Sequence, residues 1–215
     1  MMRELEEIRA FVEREIVPRY DGFDAGHGRD HVHTVISQAL QLAEFYPEVD
    51  RCILLTAAAY HDLGLIHGRA EHHIHSARIV REDVRLRQWF TEDEINIIAE
   101  AAEDHRASSN HEPRTTYGRI VAEADRIIDG ETIVRRALQY GMKHEPDLDR
   151  EGQYRRLMEH MREKYDYGGY LKLWIPESEN ARRLEAFRQT LADEPAFRSM
   201  FDTIFDKLNQ TTGQI

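Results

Sequence analysis

Residues 52–60 are apolar on nearly every face of a helix, and the next two residues are His61 and Asp62. A helix that is apolar all round has no side to present to water, so it must sit at the centre of other elements. Gly64 is expected to stop it. The chain around it carries a helical period too. Leu5, Ile8, Val12 and Ile16 recur at three- and four-residue steps, and Pro18 ends that stretch. Val32, Val35, Ile36, Ala39, Leu42 and Ala43 form a second stripe, closed by Pro47. A fourth helix is expected over about 71–89. Thr91 followed by Glu94 reads as a capping box opening a fifth, with the stripe Ile95, Ile98, Ala99 and Ala102. Further helices are expected over about 116–128, 131–140 with Gly141 as cap, 180–191 and 195–208. The segments 143–152, with Pro146, and 165–176, with Gly168 and Gly169, read as loops. Neither is long or bland enough for a linker. With no strand pair and no repeat, the expected fold is all-α. We read a single domain over 1–215, with a core at about 20–130 and a C-terminal helical extension over about 131–215.

The 215 residues suffice to bury a core without disulfides or a structural metal, so a bound metal would serve function. A net charge of -11 argues against nucleic-acid polymers and membrane surfaces as partners, since both attract Lys and Arg excess. It leaves small phosphorylated ligands open, because a bound cation and a few basic groups can reverse the field inside one pocket. Cys52 is the only cysteine and lies in the apolar run; no intramolecular disulfide is possible, which fits a reducing cytoplasm. The charged first residues lack the apolar stretch of a signal peptide. No segment approaches the roughly 20 apolar residues of a membrane span. A cytoplasmic protein is therefore expected, and homo-oligomerisation is left open.

Most of the twelve histidines fall between His27 and His75, dispersed rather than in a tag-like run. That raises the prior for metal or acid–base chemistry. Asp62, at the end of the most apolar helix, is costly to bury unless a cation or an arginine pairs with it. His31 shares the buried stripe of Val35 and Ala39, with His27 one turn earlier. Asp125 lies between Val121 and Ile128 on an apolar face, and His105 continues the register of Ile98 and Ala102. Taken singly, each has an ordinary structural reading: a core histidine bonded to a carbonyl, or a carboxylate met by Arg119 or Arg126. Together they make one shared metal site the more economical account. Mixed imidazole and carboxylate donors suit Mn, Fe, Co, Ni or Zn.

The pattern resembles the HD-domain superfamily over roughly residues 20–130. Gly26, His27, Gly28, Arg29, Asp30 and His31 are similar to its first motif, and Ala58 to Gly64, around His61 and Asp62, to its second. Glu103, Asp104, His105 and Arg106, then Val121 to Arg126, resemble its last two. The resemblance implies an all-α, HD-domain-like helical bundle with additional C-terminal helices. It also implies a metal-dependent phosphohydrolase acting on a phosphomonoester, phosphodiester or nucleotide phosphate. His31, His61, Asp62 and Asp125 would ligate the principal metal. His72 and His105 would hold a second, or face substrate if only one binds. Asp62 would also orient the hydrolytic water, His105 with Arg106 would stabilise the transferring group, and His27 and Arg106 would contact substrate. Leu65 stands where many relatives have a lysine, so His67, Arg69, Arg106 and Lys172 are the candidates for that charge. The aromatic stretch 165–174 reads either as a wall for a base or sugar or as a helix junction. Alternatives are a di-iron oxygenase of the same type, a nucleotide-binding regulatory module, or an interaction protein with structural histidines.

Overall fold

A computed structural model describes residues 4–24, 26–109 and 111–212, and every regular element among them is helical. The chain divides into two compact units. One comprises Met1–Arg126 with Leu173–Ser178; the other comprises Ile127–Lys172 with Glu179–Ile215.

The first unit is built around α3 (Arg51–Tyr60), in which every residue from Cys52 to Tyr60 is buried. Asp50 starts it, its Oδ1 accepting the Cys52 N–H at 2.8 Å and the Ile53 N–H at 3.4 Å. Around it lie α1 (Leu5–Phe11), α2 (Arg29–Leu42), α4 (His72–Glu82), α5 (Glu92–Asp104) and α6 (Thr116–Asp125). Val32, Val35 and Ala39 of α2 join Ile95, Ile98 and Ala102 of α5, and Ile120 and Val121 of α6, in one core with α3. Truncating a fully buried side chain here, such as Leu54 or Leu55, costs roughly 2–5 kcal/mol. The capping box forms as the sequence predicts: the Thr91 hydroxyl accepts the Glu94 N–H and the Glu94 carboxylate accepts the Thr91 N–H.

Several boundaries differ from the sequence reading, each for a local reason. Beyond Phe11 the chain makes a π-helical turn, Val12–Ile16, then a 3-10 stretch, Val17–Gly22, opened by Pro18. α3 stops at Tyr60, with His61 as its cap, before Gly64 is reached. Gly64 instead sits in a 3-10 turn, Leu63–His67, where a Cβ would fall onto the carbonyl of His72. Its small size lets α4 begin hard against that turn, and the Ser76 hydroxyl accepts the Gly64 N–H at 2.9 Å. The helix expected over 71–89 breaks at Asp83, whose carboxylate accepts the Arg85 N–H and the Tyr60 hydroxyl.

The second unit holds α7 (Gly130–His144), α8 (Arg150–Tyr165), α9 (Glu179–Ala192) and α10 (Glu194–Thr212). Its apolar interior includes Leu138, Leu157, Met161, Leu184, Phe187, Phe197 and Phe201. Gly141 does not cap α7 but lies inside it; the Arg156 and Gln153 side chains of α8 occupy the place its Cβ would take. The expected loop at 143–152 therefore shrinks to the residues between His144 and Arg150. No helix among the described residues is long and apolar enough to cross a membrane.

Candidate metal centre

In the first unit, six side chains from five helix ends converge. His31 lies in the first turn of α2, and His61 and Asp62 follow the last turn of α3. His72 opens α4, His105 caps the end of α5, and Asp125 is the last residue of α6. The sequence reading placed Asp125 inside a longer helix; the helix in fact stops on it, with Arg126 leaving helical geometry.

Asp62 stands at the middle. Its side chain is 4% exposed, and its two oxygens face different partners. Oδ2 lies 3.5 Å from His31 Nε2 and 3.3 Å from His61 Nε2. Oδ1 lies 3.5 Å from His72 Nε2 and 3.4 Å from His105 Nε2. Asp125 joins only the first pair, its Oδ1 being 3.1 Å from His31 Nε2 and 3.7 Å from His61 Nε2. The residues thus form two groups able to hold a cation, His31–His61–Asp62 and Asp62–His72–His105, with Asp62 common to both.

Three of the four imidazoles are oriented by the backbone just before them. His61, His72 and His105 place Nδ1 at 2.8, 2.9 and 2.5 Å from the carbonyl oxygen three residues earlier, those of Ala58, Arg69 and Ala102. Donation from Nδ1 leaves each Nε2 aimed at Asp62, the way ligating histidines are held in metal sites. His31 is the exception: its Nδ1 is buried without a partner.

Nitrogen meets nitrogen across the cluster, at 3.3 Å for His31 and His61 and 3.0 Å for His72 and His105. Two facing lone pairs are unfavourable unless a proton or a cation lies between them. Donors sharing one ion at metal–nitrogen distances of about 2.1 Å sit roughly 3.0–3.4 Å apart in octahedral or tetrahedral geometry. The donor set and its spacing therefore fit a divalent transition ion in each half.

Without a cation the charges settle among the residues themselves. Burial opposes charging His61, but Asp62 and Asp125 outweigh it and raise its pKa to about 10. Burial also opposes charging His31, and hydrogen bonds to Asp125 and Asp62 raise it. Burial opposes ionising Asp62 and Asp125 too, yet the surrounding imidazoles hold both well below the usual carboxylate range. His72 moves the other way, down to about 4, through burial and the neighbouring His105. A protonated His61 can thus stand in for a cation in the first half, whereas His72 in the second is held neutral.

The other residues singled out in the sequence lie as follows. The His27 ring packs edge-on to His31, centroids 5.8 Å apart, and His27 Nδ1 is 2.8 Å from Asp24. Arg106 donates to the Ala70 carbonyl, lies 3.2 Å from His73 Nδ1 and donates to the Ser108 hydroxyl at 3.0 Å. His67 is exposed and its ring lies tilted against that of His75, with centroids 4.8 Å apart. The Arg69 side chain is 72% exposed, 3.9 Å from Asp24. Lys172 belongs to the second unit and donates to the Gly169 carbonyl. At the end of the aromatic stretch, the Trp174 and Ile175 N–H groups reach the carboxylate of buried Glu123 at 2.7 and 3.4 Å. Ile175 thereby joins the first unit's core, whereas Tyr167 and Tyr170 lie in the second unit, exposed.

Sequence reasoning missed Tyr20, Ser76 and Glu123. Glu123 left a signal, a carboxylate within an otherwise apolar run two residues before Asp125. Tyr20 left none, because the irregular turns that deliver it have no period.

The family described as HD domain matches residues 28–129. No curated protein and no solved structure matches the chain.

Proposed function

The segment 28–129 is an HD domain, and from that premise we propose that this chain is a metal-dependent phosphohydrolase. In this reading two divalent ions share Asp62, and the substrate is small and phosphorylated, with nucleotides among the candidates. The reading rests on one observation: the two oxygens of Asp62 divide between a His31–His61 pair and a His72–His105 pair. His31, His61, Asp62 and Asp125 would hold the first ion and Asp62, His72 and His105 the second.

Bound there, such ions lower the pKa of coordinated water from 15.7 toward about 7 and neutralise phosphoryl oxygens. The chain's own groups would do the rest. Asp62 holds and orients the attacking water. His105, fixed by Ala102, keeps Nε2 turned into the site. Arg106, beside His73, offers a guanidinium to the phosphoryl group, the charge that Leu65 does not supply, and His27 lines the approach next to His31. A net charge of -11 supports a small substrate over a polymer.

The test is metal analysis of the purified protein, then phosphate release over a panel of nucleotides and simple phosphoesters with Mn, Fe, Co, Ni and Zn each added back. Wild type should carry close to two ions per chain and turn over at least one substrate class. Asp62→Ala should lose both metal and turnover. A fully active, metal-loaded Asp62→Ala protein overturns the reading. Iron with oxygen consumption and no phosphate release would favour an oxygenase. Nucleotide-induced stabilisation without turnover would favour a regulatory module.

A further inference from the structure

Tyr20 is fully buried, and its hydroxyl sits where the central helix ends. Oη donates to the Ala59 carbonyl at 2.8 Å and lies 3.4 Å from the Asp62 N–H, which it can accept. These are the backbone carbonyl two residues before His61 and the N–H of Asp62 itself. The last turn of a helix leaves carbonyls without an intrahelical partner. In α3 the Ala58 carbonyl receives the His61 ring N–H and the Ala59 carbonyl receives the Tyr20 hydroxyl. At Asp62 the backbone leaves helical geometry, φ -108° and ψ 2°, and the side chain's two oxygens divide between the histidine pairs. A small rotation of that peptide would swing both oxygens out of register.

The π turn Val12–Ile16 and the 3-10 stretch Val17–Gly22 carry Tyr20 to this point. Its ring is held edge-on by Phe23, with centroids 5.4 Å apart. Other buried tyrosines do different work: Tyr60 spends its hydroxyl on Asp83, at 2.8 Å, away from the cluster.

We propose that Tyr20 is a positioning residue for the cluster: its hydroxyl locks the peptide turn at Asp62 and so sets the aim of the carboxylate shared by both histidine pairs. The inference rests on the metal-binding reading above. A residue that only orients a ligand typically changes metal affinity or activity 10–100-fold when its contact is removed, and Tyr20 should act in that range.

The experiment titrates Co(II) into metal-free wild type, Tyr20→Phe and Tyr60→Phe, following affinity and the visible cobalt spectrum. Amide hydrogen exchange of the metal-free proteins is followed at residues 61–65. Tyr20→Phe should bind cobalt 10–100-fold more weakly with an altered spectrum, and its Asp62 amide should exchange faster. Tyr60→Phe likewise removes a tyrosine hydroxyl bond, the part-buried one to the Asp83 carboxylate, and should keep wild-type affinity and spectrum. Unchanged cobalt binding by Tyr20→Phe, or an equal loss in both variants, overturns the proposal. Should Tyr20→Phe not fold, exchange in wild type alone decides: an Asp62 amide as fast as an unprotected one overturns it, and a protected one supports it. Failure of wild type itself to bind cobalt would sink the metal-binding reading instead, a separate outcome.

Discussion

The two halves of the cluster share Asp62 and differ in almost everything else. The His31–His61 half has its imidazoles 6% and 0% exposed, and it has a second carboxylate in Asp125, whose side chain is 26% exposed. The His72–His105 half has no carboxylate of its own, its His72 side chain is 14% exposed, and His73 and Arg106 stand beside it. Two carboxylates can neutralise a dication in the first half. One shared carboxylate cannot do so in the second, where positive charge is left over for an anion to meet. In the proposed reading this gives the cluster a tight end, with two carboxylates to hold its cation, and an open end, where the charge left over would suit a phosphate oxygen.

The largest expected effect tests that asymmetry. Asp125→Asn should remove the first half's advantage, weakening its ion by more than the roughly 10–100-fold typical of losing a merely supporting residue. His72→Ala should leave the first half loaded, so metal content falls from about two ions per chain toward one. Elemental analysis after dialysis against dilute chelator reads both. Equal loss from the two variants would show that the halves do not differ as their carboxylates imply.

Much of this comparison was legible in the sequence, and the illegible part has a physical cause. The all-α class followed from periodicity, and the ends of α3 and α5 could be read because polar groups stood at the margins of apolar stripes: His61–Asp62 after a wholly apolar helix and His105 at the end of the 95–102 stripe. Asp125, by contrast, read as lying inside a longer helix, and His72 entered only through the family resemblance. The division of Asp62's oxygens was not legible, because it depends on the φ and ψ of one peptide beyond the helix end. Nor were the partners that set that peptide. Gly64 read as a helix stop, yet its role is to admit the His72 carbonyl, a contact that exists only once α4 has packed. Periodicity reports which face of an element is buried; it is silent on irregular turns and on what meets an element's end.

The second effect is a difference in proton linkage. In the metal-free protein His61 keeps its proton up to about pH 10, so a cation entering the first half at neutral pH must expel it. His72, with its pKa lowered to about 4, is already neutral there, and a cation need displace no proton from it. The signs follow. Affinity of the first half should rise with pH throughout the range 6–9, where the His61 proton competes with the ion. His72 should add no such slope to the second half in that range. Calorimetry of metal binding in buffers of different ionisation enthalpy, on Asp125→Asn and His72→Ala, separates the two contributions. A first half that binds its ion without releasing protons at pH 7 would contradict the charge arrangement described above.

The smallest effect concerns the open end. Arg106 is fixed by the Ala70 carbonyl and the Ser108 hydroxyl, and its guanidinium touches His73 rather than any of the six cluster residues. In the proposed reading it would therefore meet substrate and not hold metal. Arg106→Ala should leave both ions bound and the fold intact, and raise KM severalfold. If the guanidinium also meets charge that develops only during transfer, kcat falls with kcat/KM instead. Arg106→Lys keeps the charge but loses the planar fork that holds the group between Ala70 and Ser108, so it should recover only part of the loss. Steady-state kinetics on one cleaved substrate, with metal content measured on the same samples, decides between these roles. An Arg106→Ala protein that loses an ion would place Arg106 among the groups that build the second half, and the open end would then need another source of positive charge.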